Sequence, residues 1–363
     1  QRLKELLDIP VFHDDQHGTA IISCAGLINA LYLTDRDIKD TSLVVNGAGA
    51  ASIAGVELFK SMGMPQENII VCDSQGVVYA GREAGMNQWK SAHAANTEKR
   101  TLEEAADGAD VLMGLSVKGA FSEKIIKSLA QNPIIFAMAN PDPEITPEEV
   151  AEIRSDAIMA TGRSDYPNQV NNVLGFPYIF RGALDVQASE INDAMKIAAA
   201  NSIAYLARED VPDEVNAAYG KPLQFGRDYI IPAPFDPRLI VKVSSEVAKA
   251  AMETGVARKP IANFENYEQT LKARLNPTAN SLTGIYSRVK RSPKRVVFAE
   301  GEEERVIRAA ISFQANGYGQ PILIGREDTV KNSLEKLGLS GLDTLEIHNA
   351  RLSDHNEEYS TNL

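Results

Sequence analysis

The chain has 363 residues, with 37 basic and 49 acidic side chains and a formal net charge of −12. At roughly 150 residues per domain, that length predicts two or three domains. With 44% hydrophobic and 24% charged residues global disorder is excluded, and the acidic balance argues against nucleic acid or an anionic membrane as the main partner.

No apolar run approaches the ~18 residues of a membrane helix. Cys24 and Cys72 stand in apolar segments and read as buried thiols in a reducing, cytoplasmic setting. The chain opens on Gln1-Arg2-Leu3-Lys4 and ends on Ser360-Thr361-Asn362-Leu363. Both ends read as cut, so a fragment is expected.

Residues 1–7 read as the end of a helix. Ile9 to Phe12 reads as a short strand, followed by a polar turn through His13-Asp14-Asp15-Gln16-His17-Gly18. An apolar helix follows, with Ala20, Ile21, Cys24, Leu27, Ile28 and Leu31 at helical spacing. Ser42 to Asn46 is a buried-type strand. Gly47-Ala48-Gly49-Ala50-Ala51-Ser52 then opens a helix to about Met62, with Gly63 as its C-cap. Further strands are expected at 68–73, 110–114, 133–139 and 156–160. They are short continuous apolar runs, as in a parallel sheet covered by helices on both faces.

A single long Ala-rich helix is expected from Gly182 to about Arg208, an irregular Pro-containing stretch over 209–241, and another helix over 242–257. Residues 258–292 are mixed and polar, and a domain boundary is placed there. A second α/β region begins with a strand at 294–299. A helix at 300–316, a strand at 320–325, a helix at 327–337 and a strand at 344–348 follow. The fold expected is a Rossmann-type doubly wound parallel sheet, then the first part of a second α/β domain.

The Gly47–Ser52 turn follows a strand, opens a helix and meets Asp73 at the end of the next strand. That context points to a dinucleotide. Gly47 makes the tight turn, Gly49 admits a pyrophosphate, the helix N-terminus supplies amide donors, and Ser52 is small enough for close packing. Asp73 would accept from ribose hydroxyls, which favours NAD over NADP. Ser74 and Gln75 could instead reach a 2′-phosphate, with Arg82 as the nearest cation.

Asp14 and Asp15 have two readings. They could hold a hard divalent cation such as Mg²⁺ or Mn²⁺, or cap free amides at a helix start. On an extended segment neighbouring side chains point opposite ways, so one aspartate at most would be a ligand. His13 and His17 read as turn-stabilising. Asn140 ends a buried strand and reads either as a cofactor or substrate contact or as part of a polar loop. The stretch Thr161 to Asn172 is rich in amide side chains and contains Arg163, a set that could hold a carboxylate substrate. Glu300 to Arg305 is an acidic helix start explained by the helix dipole.

The segments Ile9–Ala20, Gly47–Ser52, Val71–Ser74, Ala139–Pro141, Thr161–Val173, Tyr229–Ile261 and Arg295–Gly325 together resemble the bacterial malic enzymes of the hybrid type, in which a malic enzyme region is fused to a phosphate acetyltransferase-like domain. The resemblance covers essentially the whole chain. It implies residues 1–270 as an NAD(P)-binding domain incomplete on its N-terminal side, and residues 285–363 as the truncated start of the acetyltransferase-like domain.

It further implies oxidative decarboxylation of (S)-malate to pyruvate and CO₂, with NADP or NAD reduced. By motif, Asp15 matches the metal ligand and Asp14 the neighbour that pairs with a lysine base. Ala48, Gly49, Ala50 and Ala51 match the cofactor loop. Asn140 matches the asparagine near nicotinamide and substrate, and Asn172 a malate-binding asparagine. Related hybrid enzymes commonly use NADP, although Gln75 stands where a lysine often does. The family's tyrosine acid, lysine base and two more acidic metal ligands fall before residue 1, so the piece alone is expected to be inactive. A homo-oligomer and an acetyl-CoA effector for the C-terminal domain are expected. Another Rossmann dehydrogenase, or a non-catalytic nucleotide or acetyl-CoA module, are the alternatives.

Overall fold

The computed structural model describes residues 2–275, 285, 288–336, 345–353 and 355–361. Two compact units divide the chain, residues 1–271 and residues 272–363. Among the described residues no helix is long and apolar enough to cross a membrane.

The first unit is built on a six-stranded sheet. Its strands are β1 (Leu43–Asn46), β2 (Ile69–Asp73), β3 (Gly76–Val77), β4 (Val111–Gly114), β5 (Ile134–Ala137) and β6 (Ile158–Thr161), in the order β3-β2-β1-β4-β5-β6. All neighbours are parallel except β2 and β3. β1, β4 and β5 are buried at every residue, which is why they read as continuous apolar runs. Val45, Met113 and Phe136 face one core, and Val44, Leu112 and Ile135 face the other. The chain reverses direction across the sheet between β1 and β4, where doubly wound sheets bind ligands.

The helices of this unit are α1 (Arg2–Leu6), α2 (Thr19–Leu33), α3 (Ala50–Ser61), α4 (Gln88–Ser91), α5 (Leu102–Ala106), α6 (Glu123–Ser128), α7 (Pro147–Ile153), α8 (Phe176–Asp185), α9 (Asp193–Arg208), α10 (Asp213–Tyr219), α11 (Leu239–Glu253) and α12 (Phe264–Leu275). α2 is buried on nearly every side, as a helix apolar all round should be. α3 ends as Gly63 requires. Gly63 has φ 108°, its N–H donates to Lys60 O at 2.9 Å and Met64 N–H donates to Phe59 O at 3.1 Å. This is the paired closure of a Schellman motif.

Several expectations are corrected. Ile9 to Phe12 forms no strand. It finds no sheet edge, and Phe12 instead packs edge-on against Phe180 and beside the His17 ring. The polar turn is a π-helical turn over Asp14–Gly18, not an extended segment. The long helix from Gly182 is two helices, α8 and α9. Gln187 takes a left-handed φ of 50°, and the Asn192 side chain caps α9 by accepting Met195 N–H at 3.1 Å. The stretches expected to be irregular contain α10 and α12, because tertiary packing overrides weak propensity.

In the second unit β7 (Lys294–Phe298), β8 (Gly319–Ile324) and β9 (Glu346–His348) form a parallel sheet in that order, with α13 (Glu304–Ala315) and α14 (Glu327–Lys336). Leu337 and Thr344, expected at a helix end and a strand start, and Pro277 of the expected linker lie outside the described residues.

Candidate functional site

The end of β1 turns sharply into α3. Gly47 has φ 121°, and a Cβ there would stand 2.6 Å from Leu115 O, so both backbone and space demand glycine. A Cβ on Gly49 would meet nothing within 4 Å, so the turn is open at that position. Gly49 is the N-cap of the twelve-residue α3 and offers no side-chain cap. The first amides of the helix therefore remain available to an anion. Ser52 is buried behind the turn.

At the end of β2, Asp73 accepts Arg82 Nη2 on both oxygens at 2.8 Å and Lys90 Nζ at 2.7 Å. Burial alone would raise its pKa, but the hydrogen bonds from Lys90, Arg82 and the Gln75 amide hold it below the usual carboxylate range. Arg82 is buried and also donates to the Ala84 and Val77 carbonyls at 3.0 and 2.9 Å. Gln75 Oε1 lies 3.3 Å from Arg82 Nη2. The sequence reading missed Lys90. Its only local signal is Asn87, whose Oδ1 accepts Trp89 and Lys90 N–H and starts α4.

The π-helical turn places Asp14 half-buried and Asp15 exposed. The Asp14 Oδ1 atom is buried without a well-aligned hydrogen-bond partner, and burial raises the carboxyl pKa above its ordinary value against the opposing pull of the Asn172 side chain. Asn172 Nδ2 donates to Asp14 O at 3.2 Å, and Thr19 Oγ1 donates to Asn172 Oδ1 at 3.2 Å. A Cβ on Gly18 would stand 2.2 Å from Asp14 Oδ1 and 3.0 Å from Asn172 Cγ. Gly18 thus lets these two residues, 158 apart in sequence, close on one another.

Burial, with Lys196 and Lys4 nearby, pushes the His17 pKa down to about 4. Burial likewise pushes the Cys72 thiol up to about 12. A pocket of about 650 Å³ is lined by His13, Gln16 and His17 around the π-helical turn and by Ala48, Gly49 and Ala50 of the glycine turn, while Asp14, Asp15, Asp73, Asn140 and Asn172 lie outside its lining.

The amide-rich stretch separates into distinct jobs. Asn168 braces the fold, donating to Met159 O at 2.8 Å and Arg227 O at 2.6 Å and accepting Ile230 N–H at 2.8 Å. Asn171 caps a short 3₁₀ turn by accepting Val173 N–H. Arg163 is engaged by Asp165 through two hydrogen bonds. Only Asn172 of the set turns toward the acidic residues. Asn140 is exposed three residues past the end of β5, ahead of a cis peptide to Pro141.

The carboxylate donors at 14 and 15 suit a hard cation, and an orphaned buried oxygen beside an exposed carboxylate fits a group supplied from outside. Among the described residues, however, no group of three or more His, Cys, Asp or Glu side chains could by itself hold a metal ion.

Residues 16–219 match the family of the malic enzyme NAD-binding domain, and residues 281–363 match that of phosphate acetyl/butaryl transferase. An NADP-dependent malic enzyme of Rhizobium meliloti is 64% identical over 356 residues, which are 97% of this chain and 47% of the relative. An NAD-dependent malic enzyme of the same organism is 48% identical over 341 residues, covering 93% of this chain and 44% of that one. The crystal structure of malic enzyme from Pyrococcus horikoshii superposes with a TM-score of 0.68 at 36% identity, over 78% of this chain and 64% of that one. The chain spans about half the length of the curated relatives it matches. A glycine turn open to an anion, a half-buried acidic turn locked to Asn172, and matches that cover both regions in order place this chain in the malic enzyme family, in the form joined to a phosphate acetyl/butaryl transferase region.

Proposed function

We propose that this chain is the cofactor-binding part of an enzyme that oxidatively decarboxylates (S)-malate to pyruvate and CO₂ and reduces NADP⁺. The observation that carries the reading is Asp14 Oδ1, buried without a well-aligned partner, beside Asn172 and next to exposed Asp15. A carboxylate oxygen so placed calls for a donor from outside the described residues, and a lysine ammonium is the one the family resemblance implies.

In this reading Gly47, Ala48, Gly49, Ala50 and Ala51 bind the cofactor pyrophosphate through backbone amides at the α3 N-terminus. Asp73 supports the adenosine ribose. Two cations on one carboxylate leave that corner with a local charge of about +1, which suits a 2′-phosphate and favours NADP. Asn140 contacts the nicotinamide end and substrate, and Asn172 orients malate. Asp15 would hold Mg²⁺ or Mn²⁺, and Asp14 would orient the lysine base through a hydrogen bond. When bound, the nicotinamide would supply the hydride acceptor and the cation would supply charge stabilisation at the 2-oxo group. Residues 281–363 offer the place for an acetyl-CoA-type effector.

The test is malate-dependent cofactor reduction by the full-length protein, with and without Mn²⁺. Reduction that needs both malate and metal supports the reading. Its absence with both cofactors in the presence of metal would overturn it.

A further inference from the structure

Below the crevice runs a network that the site described above does not use. Glu144 is fully buried. Its Oε1 accepts Ser116 N–H at 2.7 Å and the Ser116 hydroxyl at 3.1 Å, and its Oε2 accepts Ala139 N–H at 3.0 Å. Ser116 Oγ in turn accepts from Asn46 Nδ2 at 2.8 Å. Asn46 ends β1, Ser116 follows β4 and Ala139 follows β5. One carboxylate therefore ties three neighbouring strand ends together across the point where the winding reverses.

The residue type is demanding. A buried carboxylate without a cation is costly, and all three donors that Glu144 meets are neutral. Three donors converge on two oxygens, which only an acceptor-only group satisfies; a glutamine would set its NH₂ against an N–H. Gly114 opens the space, because a Cβ there would lie 2.4 Å from Glu144 Cδ. The network also touches both walls of the candidate site. Ala139 directly precedes Asn140, and Ser116 directly follows Leu115, whose carbonyl is the atom packed against Gly47.

We propose that Glu144 is a positioning residue that fixes the spacing between the Gly47–Ala51 turn, which takes the pyrophosphate, and Asn140, which meets the nicotinamide end of the cofactor. This rests on the cofactor reading above. It adds a residue that touches neither cofactor nor substrate and acts through Ser116 and Ala139.

The experiment compares two probes on the chain by calorimetry: NADPH, and 2′-phospho-ADP-ribose, which lacks the nicotinamide. Nicotinamide emission is followed in parallel. The wild-type chain should bind NADPH more tightly than the fragment and enhance its emission. Glu144→Gln should keep fragment affinity within about twofold, lose about tenfold in NADPH affinity, the size of one charge-assisted hydrogen bond, and lose the emission enhancement. If Glu144→Gln does not fold, Ser116→Ala carries the test. It removes the hydroxyl link and keeps both backbone bonds, and it should lose about threefold for NADPH alone. Equal losses for both probes, or none for NADPH, would overturn the assignment to Glu144 while leaving the cofactor reading standing. A wild-type chain that binds neither probe would overturn the cofactor reading, and this proposal with it.

Discussion

Lys90 Nζ lies 2.7 Å from Asp73 Oδ2, although seventeen residues separate the two in sequence. The contact changes what an aspartate at the end of the second strand means. A free carboxylate would repel a 2′-phosphate, whereas one already shared by Lys90 and Arg82 no longer does.

Cofactor choice should therefore depend on Lys90. In the full-length protein, Lys90→Met is expected to lower the NADP-over-NAD ratio of kcat/KM by about tenfold to a hundredfold, the range of one to two charge-assisted contacts. The effect should shrink as salt is added, because Lys90 is partly exposed. An unchanged ratio at low salt would separate Lys90 from the 2′-phosphate.

Arg82 answers to stability. Its side chain is almost fully buried, holds Asp73 and ties down the backbone carbonyls of Gly76 and Val77 in β3 and of Ala84. Arg82→Ala leaves a buried carboxylate with one partner fewer and is expected to cost about 3–5 kcal/mol, read by chemical denaturation. Lys90→Met should cost about 1 kcal/mol or less, as a partly solvated pair does. Comparable losses for the two would contradict this division of labour.

Asp14 should trade stability for function. Burial raises its folded-state pKa. Its contribution to stability is therefore complete below the ordinary carboxylate pKa and is lost as pH rises through the raised value. Asp14→Asn is expected to raise Tm at pH 7. The gap should close as pH falls toward the ordinary carboxylate range, while malate turnover by the full-length protein collapses. A lower Tm for the variant at pH 7 would show that the carboxylate is satisfied in the folded chain.

Gly18 should matter more to turnover than to folding. Its backbone is helical with φ −62°, so alanine fits the chain, but the added methyl collides with Asp14 Oδ1. Gly18→Ala should lower kcat at least about tenfold by moving one carboxylate and change Tm little. A kcat within twofold of wild type would mean that Asp14 can shift without consequence.

Asp15 is the proposed metal ligand. Asp15→Asn should sharply raise the Mn²⁺ or Mg²⁺ concentration needed for half-maximal rate and lower kcat, with cofactor affinity nearly unchanged. The comparison needs metal titrations at saturating malate. An unaltered metal response would make Asp15 a helix-start residue only.

Local chemistry in the sequence was enough to determine the five parallel strands of the first sheet, the glycine turn and the cap at Gly63, but neither the absence of a strand at Ile9 to Phe12 nor the short antiparallel β3. Each rests on a few consecutive residues: a buried parallel strand is apolar throughout, a turn packed against Leu115 needs a glycine, and a helix end in left-handed backbone favours one. The resemblance pointed to Asp14, Asp15 and Asn172 one residue at a time, and the fold sets Asn172 against Asp14. Tertiary structure decided the rest. Whether Ile9 to Phe12 pairs as a strand depends on where the fold lays the segment, and it is laid with Phe12 against Phe180 and His17. The break between α8 and α9 turns on Gln187 accepting left-handed backbone, which Ala-rich propensity hides. The amides of Asn168, Asn171 and Asn172 are alike in sequence, yet one braces a loop, one caps a turn and one meets Asp14. Lys90 carried only the weak signal of the Asn87 cap beside it, and Glu144 carried none. A charge is paired or orphaned only once distant segments are folded onto it, and burial, which sets its cost, is a property of the fold and not of the residue.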